Sequence, residues 1–255
     1  MSMIIDIHAH LGFDYVFDYE LNENDLLQAN EKYGVDVAIV QPFIPRPYIE
    51  DHMEIHNRIY ELCCKYPNKF YGMASINPHF RPDDYDRELM RCVKELGFVG
   101  VKITPIAHAA NPASKDCMHV FEIADALGIP VMVHTGNGIP FADPVACIPA
   151  ANAFPKVKLI LAHAGGEMFF EQALMLARNY ENVFLEPSWL GVLNTRTAVE
   201  TLGAGKVMFS SDDPENIPVE LVKYRTAIRN EKDLDMVLAG TATKVFNLKY
   251  QSFIT

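Results

Sequence analysis

The sequence predicts an α/β fold, a (β/α)8 TIM barrel, with a single domain over residues 1–255. Three observations predict it. Eight short apolar runs recur along the chain, and segments with helical periodicity separate them. The first run ends in His8-Ala9-His10-Leu11-Gly12. That is not the glycine-rich phosphate turn that usually opens a doubly wound sheet, the competing arrangement.

The eight runs are residues 4–8, 35–40, 70–75, 99–103, 131–134, 159–163, 183–185 and 207–210. Residues 24–32 place Leu26 and Leu27 with Tyr33 on one helical side, and residues 49–66 do the same with Ile55, Ile59, Leu62 and Cys63. Residues 85–96, 119–127, 166–180 and 195–202 read similarly. Gly34, Gly97 and Gly128 follow such stretches, where a helix-ending glycine is expected. Residues 233–248 read as two short helices that close the bottom or side of the barrel. No linker or internal repeat interrupts the pattern.

Of 255 residues, 49% are hydrophobic, enough for one large core. The 22% charged and 11% aromatic content argues against global disorder. A net charge of -11 repels phosphate backbones, so no nucleic-acid partner is expected. Cys63, Cys64, Cys92, Cys117 and Cys147 are odd in number and form no CxxC pair. They read as reduced, mostly buried thiols of a cytoplasmic protein. No stretch is long and apolar enough for a bilayer, and the first run starts too near Met1 for a signal peptide. The expected location is cytoplasmic, with no membrane partner. An anionic surface leaves a homodimer open.

Barrels carry their chemistry at the C-terminal ends of the strands. His8 and His10 close the first run, and alternate strand residues share a face, so the two imidazoles project together. Alone, such a pair is often just hydrogen-bonded and inert. Lys102 closes the fourth run with Ile103, His134 the fifth, His163 the sixth, and Ser210-Ser211-Asp212-Asp213 the eighth. Each is unremarkable by itself: a strand-capping histidine bonds to backbone, and Asp-Asp-Pro is an ordinary turn and helix cap. Together they make a metal-binding mouth the better reading. Neutral imidazoles with a carboxylate suit one divalent metal, zinc first.

In this ordered set the chain resembles the amidohydrolase superfamily, in its amidohydrolase-2 branch with the aminocarboxymuconate-semialdehyde decarboxylase-like proteins. The matching segments are DIHAH, KYPNKFYGMASINP, GFVGVKI, VHTG, LAHAGG, SSDDP and LAGTATKVFNL. The resemblance implies metal ligands His8, His10, His134 and Asp212. It implies that His163 and Asp212 serve catalysis beside the metal-bound water. Lys102 is open: a carboxylated Lys102 would bridge a second metal, whereas an ammonium would pair with Asp212 or a substrate carboxylate. The mononuclear site is preferred. Many relatives resemble KLHP where this chain has Lys102-Ile103-Thr104-Pro105, and the nearby His108 reads as an exposed loop residue.

Lys102, Arg46 and Trp189 are the candidate substrate contacts, with Glu186 a further residue of the pocket. A solvated Arg46 and a rim Trp189 are the plain alternatives, and Asp213 reads as a helix cap. His52, His56, His79 and His119 read as surface or helix residues without a role. The expected activity is metal-dependent hydrolysis of a small ester, lactone or amide by an activated water. The alternative is non-oxidative decarboxylation of a small unsaturated or aromatic carboxylate at the same site. The chain's shortness favours hydrolysis, since long loops are expected to build the decarboxylase pocket. Lys102 and the net charge disfavour a metal-dependent nuclease of the TatD type, and the apparently complete ligand set disfavours a non-catalytic binding barrel.

Overall fold

Strand β1 (Ile5–Asp14) pairs in parallel with β3 (Val37–Pro42), and β3 with β4 (Phe70–Gly72). A second parallel series runs β5 (Ala74–Ser75), β6 (Val101–Ile103), β7 (Val131–His134), β8 (Leu159–Ala162) and β9 (Val183–Glu186). The computed structural model describes residues 3–136 and 140–248. The run predicted at residues 70–75 is split into β4 and β5 at Met73. There the chain passes from β3 to β6: the Met73 amide donates to the Val40 carbonyl, and the Ala74 amide to that of Gly100.

Single bonds, not a ladder, close the barrel at the run predicted at 207–210. Val207 bridges Leu185, the Met208 amide donates to Leu185, and the Ile7 amide donates to Phe209. The result is the expected TIM barrel. Its interior holds Ile5, Ile7, Val37, Ile39, Met73, Met132, Ile160, Phe184 and Met208. The alternate residues, among them Ala38, Val40, Val101, Val131, Val133, Leu159, Leu161 and Val183, face the surrounding helices. Burial on both faces is why these strands read as near-continuous apolar runs.

The helices follow the periodicity: α1 (Glu23–Tyr33), α2 (Ile49–Lys65), α3 (Pro82–Lys94), α5 (Lys115–Leu127), α7 (Gly166–Asn179) and α8 (Val192–Leu202). Gly34, Gly97 and Gly128 have positive φ, as expected of residues that end helices. Four elements escaped sequence analysis. β2 (Tyr19–Leu21) forms an antiparallel hairpin with the end of β1. Two are the short helices α4 (Pro105–His108) and α6 (Ile148–Ala153). The fourth, α9 (Ile217–Ala227), buries Glu220 and Lys223 beside Ile217 and Leu221, which breaks its apolar periodicity.

The tail forms α10 (Glu231–Asp235), a π turn over Met236–Gly240 and α11 (Thr241–Val245). Ala239, Ala242, Val245, Phe246 and Leu248 pack into the barrel's interior cluster. Cys92, Cys117 and Cys147 are buried, Cys63 is half-buried and Cys64 exposed, all as free thiols. Among the described residues no helix is long and apolar enough to cross a membrane.

Candidate metal centre and active site

Strand alternation alone does not aim His8 and His10 at the mouth. Ile5 and Ile7 already point into the barrel, so an unbroken β1 would turn His8 outward. A bulge between Asp6 and Ala9 sets three steps of β1 against two of β3 and reverses the parity. His10 then pairs beside Gln41, and both histidine rings enter the site.

Their Nε2 atoms lie 3.1 Å apart. Asp212 Oδ1 sits 2.9 Å from His8 Nε2 and 3.3 Å from His10 Nε2. These three side chains each offer one ligand atom within 4.8 Å of the others. Asp212 adopts φ 68°, sparsely populated for a non-glycine residue, and its amide donates to the His8 carbonyl at 2.8 Å. Burial pushes the Asp212 carboxyl up, but His8 and His163 hold it well below the usual carboxylate range.

The far side of each ring prepares the ligand atom. His10 Nδ1 donates to the Pro42 carbonyl at 3.1 Å, which leaves the Nε2 lone pair free. His8 Nδ1 lies 2.9 Å from Glu186 Oε2, and both side chains are sealed from solvent. Burial and Lys102 oppose charge on His8, yet Asp212 and Glu186 carry its pKa above the ordinary value. Burial and Lys102 hold His10 down to about 4.

Sequence analysis made Glu186 a wall of the pocket. It lies instead beneath the ligands, fully buried. It accepts from the His163 amide at 3.1 Å, the Ser188 amide at 2.7 Å and the Ser210 hydroxyl. Burial opposes its ionisation, but the hydrogen bond with His8 and the charge there bring it down to about 2.

Lys102 is buried, with its Nζ against His8 Nε2. Burial lowers its pKa to about 8 against the pull of Asp212 and Glu186. His163 hydrogen-bonds Ser188 Oγ through Nδ1 at 2.7 Å and meets His134 Nδ1 through Nε2 at 3.1 Å. Burial lowers His163 to about 4. His134 stands outside the three-ligand cluster and reaches the site through His163. Burial, His163 and Lys102 keep it neutral, and its buried Nε2 has no partner among the described residues. Such an orphaned nitrogen fits a metal ligand.

Trp189 Nε1 donates to Asp212 Oδ2 at 2.8 Å, with the indole 56% exposed at the mouth. Arg46 is exposed, and its guanidinium lies over the Tyr15 ring at 4.6 Å rather than in the cluster. Phe43 stacks on His10 with centroids 4.5 Å apart. A cavity of about 440 Å³ lined by Tyr19, Asp25, Tyr33 and Pro214 opens away from the three ligand atoms.

Two polar residues escaped sequence analysis. Gln41 is fully buried beside His10, and neither end of its amide has a hydrogen-bond partner among the described residues. It closes the run 35–40 as Lys102 and His134 close theirs, so the same rule reaches it. Asp6 Oδ1 accepts from the His8 amide at 3.0 Å and the Ser211 amide at 3.1 Å, clamping the two strand ends that carry His8 and Asp212.

The His108 expectation needs correction, and His52 and His56, helix residues as expected, are buried. His108 is buried at the end of α4 and accepts from the Thr104 amide at 3.3 Å. His52 is buried, and its Nδ1 donates to the Ser75 carbonyl at 2.9 Å. His56 is buried 2.7 Å from Glu88. His56, Glu88 and Cys92 have metal-ligand spacing, but Arg91 already grips both Glu88 oxygens at 2.8 Å and supplies the cation. His79 and His119 pair with Asp116 and Asp86 outside the mouth, and Asp213 caps the turn after Asp212, as expected.

The family model described as Amidohydrolase matches residues 5–248. The chain is 26% identical over 242 residues to a gamma-resorcylate decarboxylase of Polaromonas sp. (strain JS666), covering 74% of this chain and 73% of that one. It is 24% identical over 282 residues to that of Rhizobium sp. (strain MTP-10005), covering 87% and 86%. A solved 2,6-dihydroxybenzoate decarboxylase complexed with 2,6-dihydroxybenzoate superposes with a TM-score of 0.81 at 18% identity, covering 97% of this chain and 100% of that one. A dihydroxybenzoic acid decarboxylase from Polaromonas sp. JS666, with bound manganese and 2-nitroresorcinol, gives 0.77 at 18% identity, covering 100% and 99%.

The curated relatives overturn the expected hydrolysis of an ester, lactone or amide: those named above are gamma-resorcylate decarboxylases. The metal-site residues suit either chemistry, so the expectation leaned on chain length. Chain length does not decide the reaction: the alignment to the Rhizobium relative spans 282 positions against this chain's 255 residues, so the chain is shorter and still matches 86% of that decarboxylase.

Proposed function

The chain belongs to the amidohydrolase family, and from that premise we propose that it is a metal-dependent, non-oxidative decarboxylase of a small aromatic carboxylate. His8, His10 and Asp212 would hold one divalent ion, with His134 offering its unpartnered Nε2. Manganese takes precedence over zinc, because similar structures hold manganese. When bound, the ion supplies Lewis acidity that anchors the substrate oxygens and draws electron density from the ring.

The reaction breaks the bond between ring and carboxylate. The electron pair stays on the ring carbon, CO2 leaves, and a proton takes its place. Lys102 offers a buried ammonium for the substrate carboxylate, and the Gln41 amide offers a donor and an acceptor. Asp212, ionised at rest, is the proton carrier: it takes a proton from the bound acid or from solvent and passes it to the ring carbon. Its side chain is 24% exposed, whereas that of Glu186 is sealed at 0% and serves only to orient His8. Trp189 holds the second oxygen of Asp212, and the neutral His163 polarises the substrate.

The observation that carries this reading is the buried Lys102 ammonium lodged against His8, in a chain similar to gamma-resorcylate decarboxylases. The test is a panel of hydroxybenzoates and lactones incubated with manganese-loaded protein. CO2 release from a hydroxybenzoate, abolished by Asp212→Asn, is expected. Acid release from a lactone, with no CO2 from any aromatic acid, sinks the proposal.

A further inference from the structure

Trp189 and Asp212 touch through the indole N–H, and both backbones adopt positive φ, 65° and 68°. For a bulky side chain that conformation persists only when neighbours enforce it. The neighbours lie on α9 and at its N-cap, Asn216. Glu220 Oε1 accepts from the Trp189 amide at 3.0 Å and from Asn216 Nδ2 at 3.3 Å. Asn216 Nδ2 also donates to the Ser211 carbonyl at 2.9 Å, one residue before Asp212. Lys223 pairs with the other Glu220 oxygen and donates to the Pro187 carbonyl at 2.6 Å, two residues before Trp189.

Glu220 and Lys223 are 2% and 6% exposed. Burying two charges is costly, and well-packed apolar residues often serve a fold as well or better. Neither residue belongs to the three-ligand cluster. Their polar atoms do meet the backbone on both sides of the Trp189–Asp212 contact. We propose that Glu220 is a positioning residue: it fixes the Trp189 backbone so that the indole holds Asp212 in its working orientation.

This rests on the reading of Asp212 as proton carrier, and the test separates the two. Trp189 is the chain's single tryptophan, so intrinsic fluorescence reports on it alone. In Glu220→Gln the steady-state anisotropy of Trp189 is expected to fall. In turnover, kcat is expected to fall by about tenfold, with KM for the aromatic acid changed less than about threefold. In a Trp189→Phe background the same substitution is expected to cost kcat nothing further. Where Glu220→Gln alone strands the Lys223 charge and misfolds, Glu220→Gln/Lys223→Met removes both charges and is expected to give the same anisotropy change. Unchanged anisotropy overturns the proposal, as does an equal kcat loss with and without Trp189. Failure of the parent to decarboxylate overturns the functional reading and leaves the anisotropy test in force.

Discussion

Glu186 Oε2 lies 2.9 Å from His8 Nδ1 inside a contact that excludes solvent. A carboxylate there favours the tautomer with its proton on Nδ1 and leaves the Nε2 lone pair for a cation held between His8, His10 and Asp212. Glu186→Gln keeps the shape and removes the charge. It is expected to weaken metal affinity by about 10–100-fold, the usual cost of losing such a partner. Competition against a fluorescent chelator measures this. An affinity equal to the parent's shows that Glu186 does not tune the site.

His8 and His10 are expected to hold the metal together. His8→Ala/His10→Ala is expected to retain none, while Lys102→Ala keeps one equivalent and loses substrate affinity. Metal content of purified, reloaded protein decides between one ion and two. A drop from two equivalents in the parent to one or none in Lys102→Ala would falsify the mononuclear reading and point to a carboxylated lysine bridge.

The rule that polar residues close the apolar runs picks out His8, His10, Lys102, His134, His163 and Asp212 from the sequence. It works because a barrel strand is buried on both faces and meets solvent only at its ends. Gln41 obeys the same rule, but its neutral amide carries no metal-ligand signal in the sequence. The bulge between Asp6 and Ala9 left no mark, since it changes register and not composition. Helix α9 was illegible because its buried charges mimic a solvated face. The burial of the helix residue His56 has no sequence signal, because its partner, Glu88, lies on another helix. Hydrolysis and decarboxylation share one set of ligands, so the bond broken had no signature among them.

Gly72 ends β4 where the chain begins to change partners. A Cβ at Gly72 would stand 2.2 Å from Phe98 Cε1 and 2.4 Å from Cδ1, well inside contact distance. Gly72→Ala is expected to cost about 1–3 kcal/mol by overpacking. Urea unfolding measures it, and Gly72→Ala/Phe98→Leu is expected to recover part of the loss. A parent-like midpoint for Gly72→Ala means the Phe98 ring moves aside freely.

Glu88 makes the acid stability of the outer layer testable. His56 Nε2 accepts the Ser75 amide at 3.1 Å, so its proton sits on Nδ1 and is donated to Glu88 at 2.7 Å. Arg91 binds both carboxylate oxygens, and Cys92 Sγ lies 3.4 Å from one of them. Burial pushes Glu88 up, but His56 and Arg91 outweigh it and hold the carboxyl at about 2, below its ordinary 4.5. A depressed carboxylate contributes stability that is fully present above its unfolded pKa. That stability drains away as pH falls through the folded value, here between roughly pH 4.5 and 2. The shift corresponds to about 3 kcal/mol at neutral pH. Glu88→Gln is expected to lower unfolding free energy at pH 7 by about that amount and to flatten the acid limb below pH 4.5. His56 adds its own slope at higher pH: burial keeps it neutral, so folding resists its protonation as pH drops below 6.5. Glu88→Gln removes the lower limb and, by taking away the carboxylate that supports charge on His56, extends the upper one to lower pH; denaturant midpoints from pH 7 to pH 3 resolve both. A variant whose stability tracks the parent's at every pH would mean that the His56–Glu88–Arg91 contacts contribute nothing net.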